Sequence, residues 1–153
     1  MKTIRALLEN YVLVCTLSSW ATAQVCKFII NYFLNHEVKL ERLSGAGGMP
    51  SAHSATVTAL VISCARYEGI SSTFFAVTVA LAAVVIYDAM GVRHEAGEHA
   101  KIINQMRKDS KAVSEENEDP DFKELKEMLG HTPIEVVGGV MTGMLVPLII
   151  PVP

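Results

Sequence analysis

The sequence has no disulfide framework, no basic patch and no recognisable secretion signal. Its three cysteines, Cys15, Cys26 and Cys64, lie in apolar segments at no metal-site spacing, which indicates buried free thiols. Lys and Arg total 13 against 16 Asp and Glu, so the net charge is −3 and nucleic acid is not an expected partner. A charged N-terminus precedes an apolar run, but residues 24–27 form no small-residue cleavage site, so we expect that run to be a helix of the protein.

The sequence is rich in apolar residues. Hydrophobic residues make up 50% of the chain, and the mean hydropathy of +0.32 is high for a small soluble protein. Apolar segments lie at about 7–34, 54–65, 73–90 and 134–153. A membrane-spanning helix needs about 20 apolar residues, and about 17 suffice. We therefore predict one domain over residues 1–153, an all-α integral membrane bundle of about four transmembrane helices, with a polar loop at 91–133.

The stretch at residues 44–54 separates the first two apolar segments. Its glycines and proline predict a loop that ends where the next helix begins. The first amides of a helix lack intrahelical partners, and glycine lets the backbone approach an oxyanion, so Gly47, Gly48 and Ser51 are candidate phosphate-binding residues. Ser51 can also cap the helix, and His53 adds a group that titrates near neutral pH. A plain helix start with an incidental histidine accounts for the stretch equally well.

Two further clusters contain ionisable side chains. Lys27 lies inside the first apolar segment, where a lysine either faces the bundle interior or snorkels to the interface, and both remain open. Asp88 ends the third segment, and Arg, His and Glu residues follow at 93–99. If that region is helical, Glu95 and His99 share one face, and the carboxylate can fix the tautomer of the histidine. With four spans, this region and the glycine loop lie on the same side; an exposed interfacial helix is the alternative.

Metal binding is a third interpretation of the polar residues. Histidine and carboxylate groups are suitable ligands, but no spacing in the chain matches a recognised metal motif, so we disfavour it. Its ligands would be His53, Asp88, His94 and His99.

The second half of the chain has clear helix signals. Residues 114–121 are acidic and are expected to be mobile, whereas the apolar spacing of 122–129 predicts a short amphipathic helix. Thr132 and Glu135 form a capping box, with Pro133 at the first helical position. Glycines at 138, 139 and 143 permit close helix packing.

The motif at 47–55, Gly-Gly-Met-Pro-Ser-Ala-His-Ser-Ala, resembles the divergent, YuiD-like branch of the type-2 phosphatidic acid phosphatase and vanadium haloperoxidase superfamily. The likeness covers nearly the whole chain. It includes Trp20, Ala23-Gln24, Lys27, Tyr87-Asp88-Ala89, Gly91-Val92-Arg93, Ala96-Gly97, His99-Ala100, Asn104, Leu129-Gly130-His131-Thr132-Pro133 and Glu135-Val136.

The resemblance implies a phosphate site that needs neither metal nor another cofactor. His53 would protonate the leaving oxygen, Arg93 would hold the phosphoryl oxygens, and His99 would attack phosphorus to give a phosphohistidine. Lys27 or Lys39 would stand in for the lysine of the first motif. The expected ligand is a phosphorylated small molecule or lipid, and the expected location is a bacterial cell membrane.

The chain departs from the superfamily pattern at three places. Val92 replaces the serine before Arg93, Ile103 replaces the orienting aspartate after His99, and no arginine-proline pair exists. Glu95, one turn before His99, could replace that aspartate. Two functions therefore remain: a membrane phosphatase, or a non-catalytic membrane protein that binds a phosphorylated headgroup or a protein partner. The membrane setting and the lost anion-binding residues disfavour haloperoxidase activity.

Overall fold

The computed structural model describes residues 2–35, 48–113, 124–125 and 130–153, which contain helices and no strand. This confirms the all-α class. The acidic stretch at 114–121 falls outside the described residues, as does the predicted helix at 122–129 except for residues 124 and 125. The helices are α1 (Lys2–Glu9), α2 (Tyr11–Asn35), α3 (Ala52–Tyr67), α4 (Thr73–Met90), α5 (Val92–Val113) and α6 (Pro133–Ile149).

Three helices begin at the polar residues that the sequence indicates. The Ser51 side chain accepts from the amide of Ser54 at the start of α3, and the Ser72 side chain accepts from Phe75 at the start of α4. Thr132 and Glu135 form the predicted capping box at the start of α6. Each cap satisfies amides that lack an intrahelical acceptor.

The first apolar segment differs from its prediction as one helix over 7–34. The helix is interrupted at Asn10, which separates α1 from α2. The Asn10 side chain accepts from the amide of Leu13 at 3.0 Å, and its carbonyl accepts from Val14 at 2.9 Å. Asn10 therefore starts a new helix, because asparagine is a strong N-cap residue.

Helix α3 lies at the centre of the bundle. It packs against α2, α4 and α6, and α2 also packs against α6. Among the described helices, α5 contacts only α4. Gly139 and Gly143 of α6 lie directly on the backbone of α3, at Ser51 and Ala55 respectively. Small residues one turn apart allow this close approach, as the sequence predicts.

Two helical stretches are long and apolar enough to cross a membrane by length and composition, Tyr11–Phe33 and Thr73–Asp109, whereas Pro133–Ile149 is apolar but shorter. The outer face of α4 carries large exposed side chains, among them Phe74, Val77 and Val84, which are 68%, 59% and 67% exposed. Contiguous apolar surface of this kind is typical of contact with lipid rather than water.

The end of the bundle opposite the glycine loop is held by Arg66. Its Nη1 contacts the carbonyl oxygen of Pro147 and donates to the Ile150 carbonyl at 3.0 Å and to the Tyr11 hydroxyl at 2.7 Å. The Tyr11 hydroxyl also donates to the Pro147 carbonyl at 3.1 Å. One cation thereby joins α2, α3 and the last carbonyls of α6, where the helix dipole favours positive charge.

We expect Arg66→Gln to lower the free energy of unfolding by about 1.5–3 kcal/mol, the usual range for hydrogen bonds to a charged group. The matched control is Arg5→Gln. Arg5 makes an exposed ion pair with Glu9 at 2.8 Å, so its loss should cost at most about 1 kcal/mol. Denaturant unfolding of both variants in one detergent measures the difference, and equal losses would contradict the role given to Arg66.

Candidate phosphate site

The candidate site lies at the end of the bundle where α3 and α6 begin and α4 ends. The Ser51 amide donates to the carbonyl oxygen of Glu135 at 2.9 Å, and the His131 amide donates to the carbonyl oxygen of Ala89 at 2.9 Å. These bonds bring residues 48–51 to the start of α6 and the last turn of α4. Residues 48–51 of the glycine loop and the exit of α4 thus share one end of the described structure.

Ser51 is fully buried at the start of α3. Its Oγ accepts from the amide of Ser54 at 3.3 Å and lies 3.0 Å from Ser54 Oγ. The hydroxyl therefore serves as a helix cap, and the remaining first-turn amides of α3 point out of the helix start, where the dipole is positive. Gly47, the other predicted phosphate-binding glycine before the cap, lies outside the described residues.

Gly48 packs against the side chain of Lys27. Its φ of +87° lies in the left-handed region that favours glycine, and a Cβ there would lie 3.5 Å from Lys27 Cγ and 3.6 Å from Lys27 Cδ. The apolar stem of Lys27 thus packs along the glycine backbone. The Met49–Pro50 peptide bond, which follows, is cis. The Gly48 amide is already engaged, since it donates to Glu135 Oε1 at 3.1 Å.

Lys27 is buried, with 6% of its surface exposed. The Glu135 carboxylate interacts with it electrostatically, but no hydrogen bond or ion pair within 4.0 Å joins the ammonium to any residue that the structure describes. The structure therefore favours the bundle interior over snorkelling. A buried cation is costly unless an anion compensates it, which points to an anionic ligand at this position.

Glu135 and His131 belong to the site although sequence reasoning assigned them no role in it. Glu135 Oε2 accepts from the Thr132 amide at 2.9 Å and lies 3.2 Å from Nδ1 of His131. His131 is 4% exposed. The separation of four residues between His131 and Glu135 could have revealed this pair. The hydrogen bond between Glu135 and Gly48 joins residues 87 positions apart, so no local sequence pattern predicts it.

His53 lies on the first turn of α3 with its side chain exposed. Its ring centroid is 6.0 Å from that of His131, and the two ring planes are inclined by 58°. The pair is in the range of tilted ring packing. An exposed imidazole next to the first amides of a helix can exchange a proton with a ligand bound there.

The predicted residues of α5 are less closely associated with this cluster. Glu95 and His99 are exposed on a helix that, among the described helices, packs only against α4. Arg93 lies in the first turn of α5, but its side chain is outside the described part of the chain. Asp88 lies in the last turn of α4, next to Ala89, whose carbonyl contacts the start of α6. The described geometry thus gathers Lys27, Gly48, Ser51, His53, His131 and Glu135.

The metal interpretation gains no support from this geometry. Within the residues described, no three His, Cys, Asp or Glu side chains are grouped so that they could hold a metal ion. The cluster instead combines a cation, the first amides of α3 and two imidazoles, which suit an oxyanion, with the Glu135 carboxylate, whose oxygens accept from the amides of Gly48 and Thr132.

Comparison with known proteins identifies a family and a relative of this chain. The family described as "Divergent PAP2 family" matches residues 8–146. The chain is 40% identical over 151 residues to the uncharacterised membrane protein YuiD of Bacillus subtilis strain 168, an alignment that covers 94% of this chain and 96% of YuiD. No solved structure matches the chain.

Proposed function

Because the chain belongs to the divergent PAP2 family, we propose that it is an integral membrane protein that binds the phosphoryl group of a phosphorylated, lipid-linked or small, substrate. The phosphoryl group would lie between Lys27 and the first turn of α3. The single observation that carries the proposal is Lys27, a buried lysine whose stem packs against Gly48, three residues before the Ser51 cap of α3, and whose ammonium has no ion pair within 4.0 Å to a described residue. A phosphoryl dianion compensates both the ammonium and the positive start of α3.

We propose that α2, α3, α4 and α6 all cross the membrane of a bacterial cell. The 16 residues of α3 and 17 of α6 extend about 24–26 Å at about 1.5 Å per residue, slightly less than a hydrocarbon core of about 30 Å. The central position of α3 supports the assignment, because its partners shield it from lipid. Four crossings place the starts of α3 and α6 and the exit of α4 on one side.

The proposed chemistry is hydrolysis through a phosphohistidine. His53 would protonate the leaving oxygen, and His99 would attack phosphorus, with Arg93 on the phosphoryl oxygens and Glu95 orienting His99. The roles of His53, Arg93 and His99 come from the family likeness, and the role of Glu95 comes from its spacing to His99. It requires α5 to bring His99 to the first turn of α3.

Binding without hydrolysis is the second candidate. The observation that favours it is the position of α5, which contacts α4 but not α3 among the described residues. A headgroup-binding protein needs Lys27 and the helix termini but no nucleophile. The two candidates share one ligand site and differ in turnover.

The experiment is phosphate release by detergent-purified protein from a panel of lipid phosphates, lipid diphosphates and small phosphomonoesters. If the protein is a phosphatase, release should fall by about a hundredfold or more in His53→Ala, since a positioned acid contributes about 10²–10⁴-fold. Glu68→Gln, at the far end of α3, is the matched control.

The same assay separates the mechanisms. Full activity of His99→Gln would rule out His99 as the nucleophile, because glutamine cannot form a phosphohistidine. Folded protein that binds inorganic phosphate but releases none from any substrate would support the binding function. Failure to bind phosphate at all would contradict both candidates.

A further inference from the structure

One carboxylate, that of Glu135, is bonded to both sides of the phosphate site. We propose that Glu135 is the positioning residue of this site: it holds His131 in one tautomer and orients it against His53, and it ties the Gly48 backbone to α6. The proposal rests on the proposed function for its ligand, but not for its geometry. It assigns to Glu135 and His131 the acid–histidine pairing that helical spacing suggests for Glu95 and His99.

The hydrogen bonds of the Glu135 carboxylate determine the tautomer of His131. Its Oε1 accepts from the Gly48 amide at 3.1 Å, and its Oε2 accepts from the Thr132 amide at 2.9 Å and lies 3.2 Å from His131 Nδ1. A carboxylate can only accept, so Nδ1 of His131 must carry the proton in this contact. In the neutral ring, Nε2 is then the unprotonated nitrogen.

The backbone of Glu135 also positions the start of α3. Its carbonyl oxygen accepts from the Ser51 amide at 2.9 Å, so residues 48–51 are attached to Glu135 at both ends. Ser51 caps the helix that carries His53, whose ring packs against His131. Gly48 contacts the stem of Lys27. A shift of Glu135 therefore moves the cation, the helix start and the histidine pair together.

Burial distinguishes this pair from the one expected on α5. His131 and Glu135 have side chains that are 3% and 19% exposed, whereas Glu95 and His99 are both exposed. A hydrogen-bonded acid and histidine sheltered from water hold a single orientation better than an exposed pair does. Partners behind the groups that contact a ligand commonly change affinity or activity by about 10–100-fold when they are mutated.

The experiment uses Glu135→Gln in the full chain, with Glu68→Gln as the matched control. Three N–H donors face the two oxygens of Glu135, and glutamine has a single oxygen and an NH₂ group. At least one donor therefore meets NH₂ in the variant. The ¹⁵N NMR shifts of labelled histidine, with the His131 signal assigned by substitution, report the tautomer. Titration with inorganic vanadate reports the affinity of the site for a phosphate-like oxyanion.

We expect His131 to be protonated at Nδ1 in the wild-type protein and in Glu68→Gln. In Glu135→Gln we expect the ring to lose this fixed tautomer and the vanadate affinity to fall at least about tenfold. An Nε2-protonated ring in the wild type, an unchanged tautomer in the variant, or unchanged vanadate affinity would each overturn the proposal.

Two further results keep the test decisive. If Glu135→Gln does not fold, His131→Asn replaces it, because the asparagine NH₂ can still donate to Glu135 while the ring is removed. Wild-type vanadate affinity in that variant would overturn the role of His131. If the wild-type protein binds no vanadate, the proposed function fails, and the histidine tautomers alone then decide whether Glu135 positions His131.

Discussion

Gly139→Ala should destabilise the protein and weaken its phosphate site, although alanine is the better helix former. A Cβ at Gly139 would overlap the carbonyl oxygen of Ser51 and lie 2.9 Å from Ser54 Cβ. Neither atom belongs to the end of a flexible side chain, so α3 and α6 must move apart. Overpacking of this kind costs about 1–3 kcal/mol, which exceeds the gain of about 1 kcal/mol from helix propensity.

The neighbouring residue supplies the control. A Cβ at Gly138 would meet Met49 Cε at 3.2 Å, the end of a flexible side chain, and Pro50 Cβ at an ordinary 3.5 Å. Gly138→Ala should therefore leave stability unchanged or raise it by up to about 1 kcal/mol. Denaturant unfolding in detergent compares the two variants, and phosphate binding should weaken only in Gly139→Ala. Equal behaviour of both variants would contradict the close packing of α6 on Ser51.

The parts of the fold that sequence reasoning predicted have local causes. Ser51, Ser72 and the Thr132–Glu135 box begin helices because each side chain bonds amides within its own first turn. The same-end placement of the glycine loop and the exit of α4 follows from the number of helices between them. Asn10 was missed, because apolar residues on both sides of it indicate one continuous helix.

The composition of the site could not be predicted in the same way. Whether Lys27 faces the bundle or the interface depends on what packs over it, and that is Gly48, which is 21 residues away in sequence. The bond from Gly48 to Glu135 depends on the register of α6 on α3, which glycines permit but do not specify. The sequence pattern predicts a polar loop over 91–133, whereas residues Val92–Val113 form α5. Helical spacing allows that helix, but spacing does not determine which neighbours the helix contacts.

Lys27→Met should weaken phosphate binding at least about tenfold and at the same time stabilise the protein. Methionine keeps most of the stem that packs along Gly48 and removes a buried ammonium without a close partner. A buried ammonium without a close ion pair carries a desolvation cost that methionine does not, so we expect the free energy of unfolding to rise. Glu135 is not left uncompensated, because three N–H groups still bond its carboxylate.

The two opposite effects identify a ligand-binding cation. Replacing a lysine that stabilises the fold would lower the stability of the protein. Replacing a lysine that only binds a ligand would lower the affinity for that ligand without lowering stability. We expect inorganic phosphate or vanadate to bind Lys27→Met at least about tenfold more weakly, since a charge-assisted hydrogen bond contributes about 1.5–3 kcal/mol. Lys101→Met is the control, because Lys101 is exposed on α5 and pairs with Glu98 at 2.6 Å. Calorimetric titration and denaturant unfolding measure both quantities on the same samples. A destabilised Lys27→Met variant with unchanged affinity would make Lys27 a structural residue and remove the observation on which the proposed function depends.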